Sequence, residues 1–107
     1  MPALRSSIEL RQPYEKFKTF TLTTSGSTAS TALTVSDHMI EANKITIIVD
    51  RDDLYVNLGS DATTDGNSML VPAGTGYTET GVSFNGTISV MRAGTTNSRI
   101  RGSIWGR

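Results

Sequence analysis

From residue 54 onward the chain passes through short β-type runs that end in glycine: Leu54-Tyr55-Val56-Asn57-Leu58-Gly59, Met69-Leu70-Val71-Pro72-Ala73-Gly74, Gly86-Thr87-Ile88-Ser89-Val90-Met91-Arg92-Ala93-Gly94 and Ile100-Arg101-Gly102-Ser103-Ile104-Trp105-Gly106. Runs this short, rich in β-branched residues and closed by turn formers, do not sustain helices. They become compact by pairing as antiparallel strands. With 107 residues the chain suffices for one such domain with a modest core.

The first half carries fewer strands. Residues 17–23 alternate Phe, Phe and Leu with Lys and Thr, the period of a strand with one buried face. Residues 25–31 form a polar loop leading to a short strand at 32–35. Ser36 or Asp37 can cap and Asn43 can terminate, so residues 36–43 form one helical turn or a loop. Lys44-Ile45-Thr46-Ile47-Ile48-Val49 reads as a central, largely buried strand. Asp50, Arg51, Asp52 and Asp53 then supply a hairpin with an acidic tip. Later, residues 77–80 make an edge strand, and Asn85-Gly86 joins residues 82–84 to 87–90 as a second hairpin. The expected fold is all-β: a small antiparallel β-sandwich or jelly-roll-like module of about eight short strands.

Residues 1–15 lack this periodicity, and Pro13 would break a helix running through them. They read as an extended arm preceding a β-sandwich domain at 16–107. Leu4, Ile8, Leu10 and Tyr14 are its candidate partner-binding contacts.

Little in the chain suggests catalysis. His38 is the one histidine, and its neighbours Ser36 and Asp37 do not make a triad, which is assembled in space from separated elements. Without cysteine there is neither a disulfide framework nor a thiolate zinc site. Asp61 to Asn67 superficially resembles a calcium loop, but the twelfth position would be Pro72 where a bidentate Glu is needed; Asp52 and Asp53 leave a different calcium site conceivable. Asn85-Gly86-Thr87 is a glycosylation sequon, although the turn already requires the same Asn-Gly. No helix follows Gly74-Thr75-Gly76, so a phosphate cradle is not formed. The expectation is a protein that is not an enzyme, with no cofactor and no metal.

Ten basic and ten acidic side chains balance, which argues against nucleic acid as main partner. No apolar run of about 18 residues occurs, so no membrane partner is expected either. Charge is divided along the chain. Acids concentrate from Asp37 to Asp65, while Arg92, Arg99, Arg101 and Arg107 close it. If these segments end on different faces, one copy could meet the next, so self-association is expected. Tyr14, Tyr55, Tyr77 and Trp105 could alternatively stack on sugars, as in a carbohydrate-binding module.

The order Asn57-Leu58-Gly59, Asp61-Ala62-Thr63, Ser68-Met69-Leu70-Val71-Pro72-Ala73-Gly74 and the glycine-bounded run at 88–94 resembles the small β-rich virion proteins of tailed bacteriophages. That resemblance implies a structural protein, made in the host cytoplasm and located on the capsid surface of the virion. It further implies a decoration, or cement, protein that bridges major capsid subunits, self-associates as a homo-oligomer such as a homotrimer, and docks through its arm. A neck, tail or fibre-associated protein is the alternative.

Overall fold

The computed structural model describes residues 15–63 and 68–107. Eight strands follow in chain order: β1 (Lys16–Thr23), β2 (Ser30–Thr34), β3 (Ala42–Asp50), β4 (Leu54–Leu58), β5 (Met69–Val71), β6 (Gly76–Phe84), β7 (Thr87–Arg92) and β8 (Arg99–Gly106). A single 3₁₀ turn, Val35–Asp37, follows β2. None of the described helical residues forms a span long and apolar enough to cross a membrane.

The strands make two four-stranded antiparallel sheets, β1-β8-β3-β6 and β2-β7-β4-β5. The expected all-β sandwich is therefore what the chain forms. Alternation along each strand sends every second side chain inward. Ile45, Ile47 and Val49 of β3 and Ile100 and Ile104 of β8 meet Leu54, Val56, Ile88 and Val90 from the other sheet, all of them buried. Val35 and Met39 close one end of this core. β3 lies between β8 and β6, so its predicted central position is correct.

Two connections differ from the sequence expectation. Both Asp50-Arg51-Asp52-Asp53 and Asn85-Gly86 read as hairpin turns, yet β3 and β6 belong to one sheet while β4 and β7 belong to the other. Each turn carries the chain across the sandwich. The turn chemistry is satisfied locally in both cases, and the pairing partner is decided by which strand the core accepts. Residues 77–80 and 82–84 also join into the single strand β6, which absorbs extra residues around Gly81 at φ 72°. Such a left-handed residue inside a bulge suits glycine.

Phe17 departs from the alternation assumed for residues 17–23. Phe20 and Leu22 point inward, and Phe17, three residues before Phe20, falls on the opposite face with 57% of its surface exposed. The end of the sandwich bearing the β3–β4 crossing is tied by buried Ser98. Its one hydroxyl hydrogen is shared between the carbonyls of Asp50, at 3.0 Å, and Asp52, while its N–H donates to Thr24 Oγ1 at 3.0 Å. The arm residues Leu4, Ile8, Leu10 and Tyr14 lie outside the described residues.

Candidate functional site

The described interior is lined by apolar side chains. In small closed β-structures inward positions are filled by side chains, whereas larger ones enclose ligand cavities. Here the space between the sheets holds aliphatic side chains from both. Among the described residues no group of three His, Cys, Asp or Glu could hold a metal ion. The donor set does not fit a metal centre between the sheets. His38 is exposed, and its backbone N–H donates to the Val35 carbonyl at 2.9 Å. Asp52 and Asp53 spend carboxylate oxygens on backbone groups: Asp52 Oδ1 accepts from the neighbouring Asp53 N–H and Asp53 Oδ1 from the Ala73 N–H after β5, each at 2.8 Å.

The distinctive surface is the outer face of β1-β8-β3-β6, called the front. Because Ile45, Ile47 and Val49 point inward, Lys44, Thr46, Ile48 and Asp50 must point out. Register then sets them in rows across the strands. Phe17 stands opposite Trp105, which stands opposite Lys44; Thr19, Ser103, Thr46 and Thr78 form the next row; Thr21, Arg101 and Ile48 form the third. The Phe17 and Trp105 rings are 5.1 Å apart at a 47° tilt, and Lys44 Nζ sits 4.7 Å from the centre of the Trp105 ring. Ile48 is 53% exposed. A depression of about 290 Å³, bordered by Thr21, Thr46, Ile48, Arg101 and Ser103, opens beside it.

One edge of the front is set by ion pairing. Arg99 Nε and Nη2 donate to the two oxygens of Asp50 at 2.8 and 2.7 Å, and Arg101 Nε lies 3.8 Å from the same carboxylate. The hydrogen bonds from Arg99, aided by the charges of Arg99 and Arg101, hold the Asp50 carboxyl below its ordinary value. The same pairing raises Arg99. The divided charge of the sequence is thus partly closed within the molecule, since β3 and β8 are neighbours. Lys44 and most of Arg101 remain available on the front.

The outer face of β2-β7-β4-β5, the back, carries a second apolar row. Met91, Tyr55 and Leu70 lie side by side on β7, β4 and β5, and Leu70 is 48% exposed. Next to this row residues 59–63 fold over the sheet: the Ala62 N–H donates to buried Ser89 Oγ at 2.9 Å, leaving Asp61 exposed. A larger depression of about 670 Å³ lies at the end of the sandwich, lined by Glu15, Lys16, Ser36, Met39, Ile40 and Arg107. Its lining includes Glu15, the first described residue.

Of the aromatic residues proposed for sugar stacking, the three described ones do not share a surface, and Tyr14 lies outside the described residues. Trp105 is on the front, Tyr55 is on the back, and Tyr77 packs against the core. Burial, with Glu79 beside it, raises the Tyr77 phenol above its usual range. The front strip was missed because its residues come from three strands distant in sequence. Two signals pointed to it: Phe17 is out of phase with Phe20 and Leu22, and Ile48 lies between two inward residues.

No protein-family model and no curated protein matches the sequence. Solved structures do match the fold. The Cupin_2 domain of an XRE family transcriptional regulator from Enterobacter cloacae aligns with a TM-score of 0.54 at 16% identity, covering 86% of each chain. The Cnp3 cupin domain of Schizosaccharomyces pombe aligns with a TM-score of 0.54 at 8% identity, covering 86% of this chain and 54% of that one. These matches overturn the virion reading, both as capsid decoration and as a neck, tail or fibre component. The order of short apolar runs and turns that resembled phage proteins is the signature of an eight-stranded jelly roll, and the fold neighbours are cupin domains. The likeness establishes the fold alone: two antiparallel four-stranded sheets arranged as a cupin-like jelly-roll sandwich.

Proposed function

We propose that this domain is a non-catalytic protein-binding module whose working surface is the front face. The observation that carries the reading is the exposure of large apolar side chains, the Phe17–Trp105 pair and Ile48, on the outer face of a sandwich whose described core is aliphatic apart from Phe20 and Met39. Large apolar side chains on a rigid sheet, the Phe17–Trp105 pair and Ile48 with a row of Thr and Ser hydroxyls between them, suit contact with another protein. Covering Phe17 and Ile48 would each contribute about 1 to 2 kcal/mol from the area removed from water. Lys44 and Arg101, on the two inner strands, make the surface basic, which orients an acidic partner and speeds encounter.

The reading is tested by site-specific photo-crosslinking of the full chain in its native cells. A photoreactive residue at Thr21, on the front, is compared with one at Thr28, in the loop between β1 and β2. Discrete protein adducts from Thr21 and none from Thr28 are expected. No adduct from Thr21, or equal adducts from both positions, refutes it.

A further inference from the structure

The two outer faces of the sandwich differ in a complementary way. The front presents Phe17, Trp105 and Ile48 with Lys44 and Arg101, and the carboxylate of Asp50 there is already engaged by Arg99 and Arg101. On the back, Met91, Tyr55 and Leu70 make an apolar row beside residues 59–63, among which Asp61 is an exposed carboxylate. Front against front would place Lys44 and Arg101 of one copy near the same cations of the other. Front against back sets an apolar row on an apolar row and cations near a carboxylate.

We propose that the occupant of the front face is the back face of a second copy of this chain, so that copies stack through a heterologous contact. The proposal rests on the protein-binding reading above and names its partner. Because the two surfaces lie on opposite sides of one sandwich, each added copy leaves one front and one back open. Such a contact gives an open chain unless an accompanying rotation closes it into a ring. Four strands at about 4.8 Å and eight residues at about 3.3 Å give a face of roughly 500 Å². That is below the ~800 Å² per partner of a standard interface, so association is reversible and rises with concentration.

Sedimentation velocity of the full chain across a wide concentration range provides the test, with Ile48→Glu altering the front and Leu70→Lys the back. Both positions are exposed, so each variant should keep the wild-type urea midpoint. The wild type is expected to form oligomers of increasing size, and each variant alone to remain monomeric. Mixing the two variants should yield a one-to-one dimer, because the intact back of the first meets the intact front of the second. A mixture that stays monomeric overturns the stacking. So does association abolished by Ile48→Glu and untouched by Leu70→Lys, the result of a symmetric front-to-front pair. A wild type that is monomeric throughout also overturns it. In that case adducts from Thr21 to a different protein would leave the binding-module reading standing.

Discussion

Replacing Gly102 by alanine puts the packing of β8 under direct test. Gly102 is an inward position of a strand flanked on both sides, by β1 and β3. A Cβ there would lie 2.5 Å from Cζ of Phe20 and 2.5 Å from the carbonyl oxygen of Thr46. Ordinary contact begins at 3.4 Å, so the methyl group is short of space by about 0.9 Å on two sides at once. The Phe20 ring can swing aside, but the Thr46 carbonyl belongs to the β3 backbone and yields only if the sheet moves. Gly102→Ala should therefore cost about 3 kcal/mol, the upper part of the range for overpacked cores. For a domain of this size that corresponds to a Tm lower by roughly 12 to 24 °C. Urea unfolding followed by far-ultraviolet circular dichroism measures it. Phe20→Leu in the same chain should recover only part of the loss, since it frees one neighbour of two. A cost below about 1 kcal/mol, or full recovery with Phe20→Leu, would show that the backbone is not the obstacle.

Three further substitutions probe the same fold. Arg51 occupies φ 83°, a left-handed conformation that costs a side-chain-bearing residue about 1 to 2 kcal/mol, so Arg51→Gly should raise stability by roughly 0.5 kcal/mol in urea titration despite glycine's greater unfolded entropy. Because the folded Asp50 carboxyl titrates below its unfolded value, its contribution is complete above about pH 4 and is lost as pH falls through the lower folded value. Asp50→Asn should remove that part of the acid dependence, read as a flatter plot of urea midpoint against pH. Ser98→Ala leaves the Asp50 and Asp52 carbonyls short of a donor in a buried place and should cost about 1 to 3 kcal/mol by the same titration.

Fold class was legible because strand periodicity is local. The run from Lys44 to Val49 carries its own two-residue repeat, and its dense β-branching marks it as central. Sheet membership was not legible. Asp50 to Asp53 and Asn85-Gly86 specify a reversal of direction, and the same reversal serves a hairpin or a crossing between sheets. The choice lies in contacts between residues far apart, such as Val56 with Val90 and Ile45 with Ile104. The front strip was hidden for the same reason: Phe17 and Trp105 are 88 positions apart in sequence and become neighbours only through the β1–β8 register. The resemblance to virion proteins failed because it rested on the order of strands and turns, a property shared by jelly rolls with unrelated roles.

The pairing of the first strand with the last has a mechanical consequence. β1 and β8 run antiparallel through eight pairs, from Lys16 with Gly106 to Thr23 with Arg99, so both ends of the described domain leave from the same side. The Glu15 N–H donating to the Gly106 carbonyl at 2.7 Å is the outermost bond there. A pull applied between residues 15 and 107 loads that bond first and then each pair in turn, peeling β1 away like tape. The ladder never bears the force in parallel, so the domain yields to tension along its chain at low force while keeping its full resistance to heat and denaturant.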